Sequence, residues 1–184
     1  MIFAEDIVLY HGGYTRVETP ELVLCREGKD FGRGFYLTSD KDQAKRFVRQ
    51  SVRKAITTGR VSGDCSQGCV SVFQVESVAG LACYDFPNAN EEWLHCVVAH
   101  RKKIAAAMEP WAAYDVMEGK IANDATNIVI NAYMRGLYGK VGSSQAVQAA
   151  LSYLEPGNLK DQICLRTAKG LASVRFVGSE EVAL

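Results

Sequence analysis

Two short segments at the start of this chain constrain it more than anything that follows. One is Leu9-Tyr10-His11-Gly12, and the other is Asp30-Phe31-Gly32-Arg33-Gly34-Phe35-Tyr36-Leu37-Thr38. Each reads as an apolar strand carrying a polar residue that a strand core does not need. Together they place an imidazole, a phenol ring and several flexible glycines close in sequence. Glycine lets backbone groups approach a ligand, and a tyrosine ring stacks on planar heterocycles. The set suits a flat, polar, phosphorylated ligand.

The 184 residues predict one domain, 1–184, with a real core. Basic and acidic residues balance at 21 each. That balance argues against coating nucleic acid through bulk charge, and leaves room for a local basic patch. No apolar run approaches the roughly 20 residues of a transmembrane helix. Met1 to Asp6 lacks the basic start and apolar stretch of a signal peptide. A cytoplasmic protein with no membrane partner is therefore expected, with export as an effector still open.

Along the chain, Ile7 to His11 and Gly34 to Thr38 read as strands, with Ser39 as the cap of a helix from Lys41 to Thr57. Ala44, Phe47, Val48, Ser51 and Ala55 form its inner stripe. Val70 to Val75 alternates as a strand, and Leu81 to Tyr84 is expected beside it. Asn90 caps a helix to about Ala107, with Trp93, Val97 and Ile104 inward. Tyr114 to Met117 is a short strand or edge segment. Asp124 to Arg135 and Ser144 to Tyr153 read as helices, the second closed by Glu155-Pro156-Gly157. Gln162 to Leu165 and Val174 to Val177 are candidate closing strands, with Thr167 to Leu171 a short turn or helical piece between them. Strands and helices mix without a βαβ rhythm, which favours an α+β domain with mostly antiparallel sheets.

Most other polar features read as structural. Cys65 and Cys69 make half a zinc site, with no second pair at usable spacing, so no metal is expected. The six cysteines suit free thiols in a reducing compartment. His95 and His100 are five apart and do not form an i, i+4 metal pair. Glu91 and Glu92 suit a helix N-terminus. Arg46, Arg49 and Arg53, with Lys45, Lys54 and Arg60, form the clear basic cluster, either a phosphate contact or a solvated helix face.

Taken together, the two opening segments resemble the ADP-ribosyltransferase superfamily in its diphtheria-toxin and poly(ADP-ribose)-polymerase-like branch. That branch carries His-Gly on its first core strand and later a Gly-x-x-Gly-aromatic-Tyr segment. The chain also resembles a bacterial family within that branch that is described as a domain of unknown function. Gln43-Ala44-Lys45, Glu92-Trp93-Leu94, Ile121-Ala122-Asn123-Asp124 and Arg175-Phe176-Val177-Gly178 match its features. The resemblance implies split antiparallel sheets around a central NAD cleft, with peripheral helices. It implies that His11 holds a ribose hydroxyl, Gly12 offers its backbone to the carboxamide, and Tyr36 stacks on the nicotinamide. Gly13, Phe31, Gly34, Thr38 and Phe47 complete the implied NAD-binding set. The segment from about Tyr14 to Lys29 would lie over the dinucleotide.

The third position of that branch is usually a glutamate, and here Gln162 stands in its place. If Ile163 and Leu165 face the core, Gln162 and Cys164 face the other way. Cleavage of the nicotinamide–ribose bond develops positive charge, which a carboxylate at about 4 Å favours by about 4 kcal/mol. Glutamine keeps a hydrogen bond and loses the charge, a change that often costs roughly 100- to 1000-fold in rate. Three outcomes are open: a slower enzyme, a substitute carboxylate (Asp161, Glu118 or Glu180), or a domain that binds NAD without turnover. The expected activity is mono-ADP-ribosyl transfer from NAD to a protein or nucleic acid. The rivals are a silent binding module acting through protein contacts and an NAD glycohydrolase. By analogy with bacterial toxins of this type, an antitoxin or immunity protein is the implied partner.

Overall fold

A computed structural model describes residues 2–121, 124–154 and 159–184, without the side chains at 124 and 125. The proposed family feature at Ala122-Asn123 and the helix stop at Glu155-Pro156-Gly157 lie outside the described residues. Two sheets form the centre. The first, in order β1-β3-β7, joins Val8–Gly13, Gln67–Val75 and Val174–Ala183, all antiparallel. The second, in order β2-β6-β5-β4, joins Phe35–Leu37, Asp161–Leu165, Val116–Lys120 and Cys83–Asp85. In it β4 runs parallel to β5, while the other pairs are antiparallel.

The strands alternate, and each face has its own apolar partner. Leu9, Phe73 and Val75 of the first sheet meet Phe35, Leu37, Val116, Ile163 and Leu165 of the second in a core between the sheets. Helix α1 (Lys41–Thr57) lays Ala44, Val48 and Val52 on the outer face of the first sheet, against Val70. The outer face of the second sheet carries Met117 and Cys164. It packs on Trp93, Leu94 and Val97 of α2 (Glu91–Lys102), Ile130 and Tyr133 of α4 (Asp124–Met134), and Ala146 and Ala150 of α5 (Ser144–Leu154). The architecture is α+β, four layers deep. No helix among the described residues is long and apolar enough to cross a membrane.

Several local expectations shift. Asp40 rather than Ser39 caps α1, its carboxylate accepting the Gln43 amide at 3.0 Å. The carboxylate is the better acceptor at a helix N-terminus. The buried stripe of α1 is Ala44, Val48, Val52 and Ala55. Phe47 stays 40% exposed, and the Ser51 hydroxyl accepts the Tyr14 amide. Residues Cys83–Asp85 join the second sheet and not the strand before them. Asn90 does cap α2, accepting from the Trp93 amide. That helix ends at Lys102, because Lys103 turns left-handed at φ 55, and a separate short α3 follows (Ala105–Met108). Ile104 is consequently on the surface, not inward. Thr167 caps the last short helix, α6 (Ala168–Ala172).

The position that brings α1 close to β1 is Gly12. A Cβ there would stand 2.1 Å from the Ala44 carbonyl oxygen and 3.3 Å from the Val48 amide, both backbone atoms that cannot turn aside. Gly12→Ala should therefore lower unfolding free energy by about 1–3 kcal/mol through overpacking. Gly63→Ala, where nothing lies within 4 Å of the added carbon, is the matched control. Urea midpoints of the two variants measure the difference; equal midpoints would show that α1 can move away freely.

Candidate functional site

The two sheets touch at one corner. There Tyr10 and Thr38 exchange two backbone hydrogen bonds, of 2.8 and 3.0 Å, between β1 and the end of β2. Beyond that bridge the edges part and a cleft of about 1020 Å³ opens, walled by β1, β2, α1 and the loop before β2. Amide and carbonyl of one residue point to one strand edge, and the edge alternates along the chain. The alternation that turns Tyr10 toward Thr38 turns the backbone of Gly12 toward the same opening. Gly12 thus lines the cleft with its main chain while its missing Cβ makes room for α1.

His11 projects from β1 on the face that also carries Leu9, and its ring lies 4.5 Å from that of Phe35. Its Nδ1 is 2.8 Å from the Tyr36 carbonyl oxygen. A carbonyl only accepts, so Nδ1 carries the hydrogen and Nε2 keeps a lone pair. Burial lowers the imidazole's pKa, opposed in part by the bond to Tyr36. The ring is therefore neutral at pH 7. Its Nε2 can accept from a ligand hydroxyl.

Tyr36 stands opposite Cys164 across β2 and β6. Its hydroxyl accepts the Phe31 amide at 2.9 Å and donates to the Gly32 carbonyl at 3.0 Å. Burial first, then the nearby Cys164 and Asp30, pushes its pKa well above the ordinary range. With the hydroxyl committed to this turn, Tyr36 offers the cleft its ring. Gly34 immediately precedes β2, where a Cβ would meet Cys164 Sγ at 2.4 Å and the Leu165 carbonyl at 2.7 Å.

Gln162 lies two residues from Cys164 on the same face, as the alternation requires, and Ile163 and Leu165 point into the core between the sheets. Gln162 is 5% exposed and lines the cleft. Its Nε2 donates to Asp30 Oδ2 at 2.9 Å and to the Lys120 carbonyl at 3.1 Å. Asp30 is buried as well, and its Oδ1 takes both Nε and a terminal nitrogen of Arg101, at 2.8 and 2.6 Å. Sequence reading passed over this Asp30–Arg101 pair. Asp30 opens the segment that runs through Gly32 and Gly34, and nothing local marks it as a buried acid. Arg101 looks like an ordinary cation at a helix C-terminus, and 71 residues separate the two.

Other members of the expected set fall into place unevenly. Thr38, Phe47 and Gly34 line the cleft. Phe31 does not: its ring is fully buried, stacked on Phe86 at 5.6 Å, and only its amide serves the site, through Tyr36. Gly13 also stays outside the lining. The three substitute carboxylates are all engaged elsewhere, and none lines the cleft. Glu118 accepts the Ile2 and Phe3 amides, at 2.6 and 2.9 Å. Asp161 pairs with Lys120 at 2.9 Å. Glu180 pairs with Lys41 and Lys45, which hold its pKa down at about 2.

The basic cluster divides in the same way. Lys45 turns to Glu180, and Arg49 and Arg53 stay outside the lining. Arg46, Lys54 and Arg60 do face the cleft, joined by Arg26 and Lys29 from the loop before β2. Burial, then Lys54 beside it, lowers the pKa of Lys29. A chain with no net charge thus concentrates cations at one opening. Gln43 lines it too. Its Nε2 donates to the Asp161 carbonyl at 3.1 Å, and its buried Oε1 has no partner among the described residues. Among those residues no three His, Cys, Asp or Glu side chains are grouped to hold a metal. Elsewhere, the buried His100 bonds through Nδ1 to the Cys96 carbonyl and supports the turn at Gly32.

Fold and site together define an α+β protein with a cation-rimmed cleft between the edges of two sheets. Residues 7–176 match the model of the family described as Protein of unknown function (DUF3990), and the chain belongs to that family. The match spans His11, Asp30, Tyr36, Arg101 and Gln162. No curated protein matches the chain.

Burial lowers the pKa of both His11 and His100 below the ordinary 6.5. An unfolded histidine takes up its proton near pH 6.5, while the folded site resists until lower pH. This contribution to stability is present above about pH 6.5 and is lost as pH falls through the folded-state values. His11→Asn should therefore lose less stability than wild type between about pH 7.5 and 5.5. Equal losses in denaturant titrations would mean that His11 titrates normally.

Proposed function

We propose that the protein cleaves NAD and transfers ADP-ribose to a macromolecule, one ADP-ribose at a time. The observation that carries this reading is the convergence of His11, Tyr36 and Gln162. They come from β1, β2 and β6 of two different sheets and line a single cleft. In this reading His11 Nε2 accepts from a ribose hydroxyl, the Tyr36 ring stacks on the nicotinamide, and the Gly12 backbone meets the carboxamide. Lys29, Lys54 and the rim arginines suit the diphosphate. NAD is a substrate here, and no metal takes part. Leu24 on the cleft wall and Val23 beside it are each 76% exposed, an apolar contact suited to a macromolecular acceptor. The resemblance to bacterial toxins extends the proposal to a cytoplasmic effector held in check by an antitoxin or immunity protein.

One observation favours a second reading. The acid beside Gln162 is already paired with Arg101, so it offers little uncompensated negative charge with which to favour an oxocarbenium ion. A module that binds NAD without turning it over fits that feature. NAD hydrolysis, with water as the acceptor, is a variant of the enzymatic reading.

Nicotinamide release from NAD by the purified protein separates these readings. Wild type should release it, and His11→Ala and Tyr36→Ala should each lower NAD affinity about tenfold or more, the loss of one hydrogen bond or one stack. Binding without release, by calorimetry, would support the silent module. Free ADP-ribose without a labelled macromolecule would point to hydrolysis. Absence of both binding and release would reject NAD as the ligand.

A further inference from the structure

An amide side chain has two hydrogens to give and one oxygen to receive with. On Gln162 both hydrogens are spent, on Asp30 Oδ2 at 2.9 Å and on the Lys120 carbonyl at 3.1 Å. Neither acceptor can turn away. Asp30 is clamped through its other oxygen by Nε and a terminal nitrogen of Arg101, both within 2.8 Å. The Lys120 carbonyl is fixed in β5 and also receives the Trp93 indole N–H at 3.0 Å. What Gln162 has left for the cleft is Oε1. We propose that Asp30 is a positioning residue that holds Gln162 as a neutral hydrogen-bond acceptor, and that position 162 takes a carboxylate only when residue 30 is uncharged.

The geometry explains why glutamine stands here. A glutamate at position 162 would set an oxygen where Nε2 now is, facing one carboxylate oxygen and one carbonyl oxygen with no hydrogen between them. Two carboxylates at that separation cannot both ionise freely, and the pair retains a proton. Arg101 offsets part of the repulsion, but both of its bonds go to Oδ1, away from position 162. Other charged or titratable groups around the pair, among the described residues, are Lys29, Tyr36, Cys96, His100 and Cys164. The amine of Lys120 is also near, but Asp161 occupies it. The acid and the amide have thus exchanged roles: negative charge sits on Asp30, and the neutral group sits on β6. This inference rests on the NAD reading only for the identity of the group that meets Oε1, a ribose hydroxyl.

The test follows unfolding midpoints of wild type, Gln162→Glu and the swap Asp30→Asn/Gln162→Glu between about pH 5 and about pH 8. In Gln162→Glu the folded-state acid keeps its proton to higher pH than the unfolded chain does. Its stability should match wild type at the acid end and fall steadily behind as pH rises. In the swap, the introduced asparagine still accepts from Arg101 through its Oδ1, while its Nδ2 donates to the introduced glutamate. The pH-dependent deficit should shrink to what the Lys120 carbonyl alone imposes, and the midpoint at pH 8 should recover by several degrees. If Gln162→Glu does not fold at any pH, the swap should restore folding. A Gln162→Glu protein with the pH profile of wild type, or a swap no more stable than the single variant, overturns the proposal. NAD titration of the same proteins keeps the two readings apart. The pH pattern without NAD binding by wild type rejects NAD as the ligand and leaves the Asp30–Gln162 arrangement standing.

Discussion

Among the described residues, two backbone hydrogen bonds between Tyr10 and Thr38 join the sheets, which otherwise meet through side chains. The bridge sets the distance between β1 and β2, and both carry site residues. It places the Tyr36 carbonyl within reach of His11 Nδ1 and so selects the imidazole tautomer. It also leaves the next stretch of the β1 edge, at Gly12, without a strand partner on that side. The cleft is the consequence of two edges pinned at one point and diverging past it.

The walls then follow from ordinary packing. Apolar residues on alternate positions of β2 and β6 enter the core between the sheets. That commits Tyr36, Cys164 and Gln162 to the opposite face, because period two leaves them no other. α1 can cover the first sheet closely only because Gly12 carries no Cβ. The same contact brings Gln43, Phe47 and Lys54 to the cleft wall. The site is thus built from groups whose positions the core has already decided, which is how a cleft holds a geometry without a ligand.

Its electrostatics are equally constrained. Burial keeps His11 neutral and the Tyr36 phenol protonated. Among the described residues, the acid against Gln162, Asp30, is matched by Arg101, while cations gather at the rim. This distribution of charge and hydrogen-bonding groups is what the proposed NAD reading draws on, with cations for the diphosphate and neutral groups for the sugar and base. Membership of the DUF3990 family spans all of these positions.

Much of this was legible in the chain. The two opening strands, helix α1 at its full length, the Asn90 cap and the facing of Gln162 all follow from local pattern, since hydrophobic period and capping chemistry act over a few residues. The partner of β4, the engagement of Glu118, Asp161 and Glu180, and the burial of Phe31 were not legible. Each depends on segments far apart in sequence, and no local signal marks which acid faces a cleft and which ties down a terminus. The sequence by itself determined which residue types stand near the cleft: an imidazole, a phenol ring, glycines and an amide on short apolar strands. Only the tertiary structure decided which atoms of those residues are free to act. Asp30 and Arg101, 71 residues apart, meet in the fold, and their pairing with Gln162 spends its hydrogens and leaves its oxygen. Hydrogen-bond capacity is consumed by whatever lies within about 3 Å, and that neighbourhood exists only after folding.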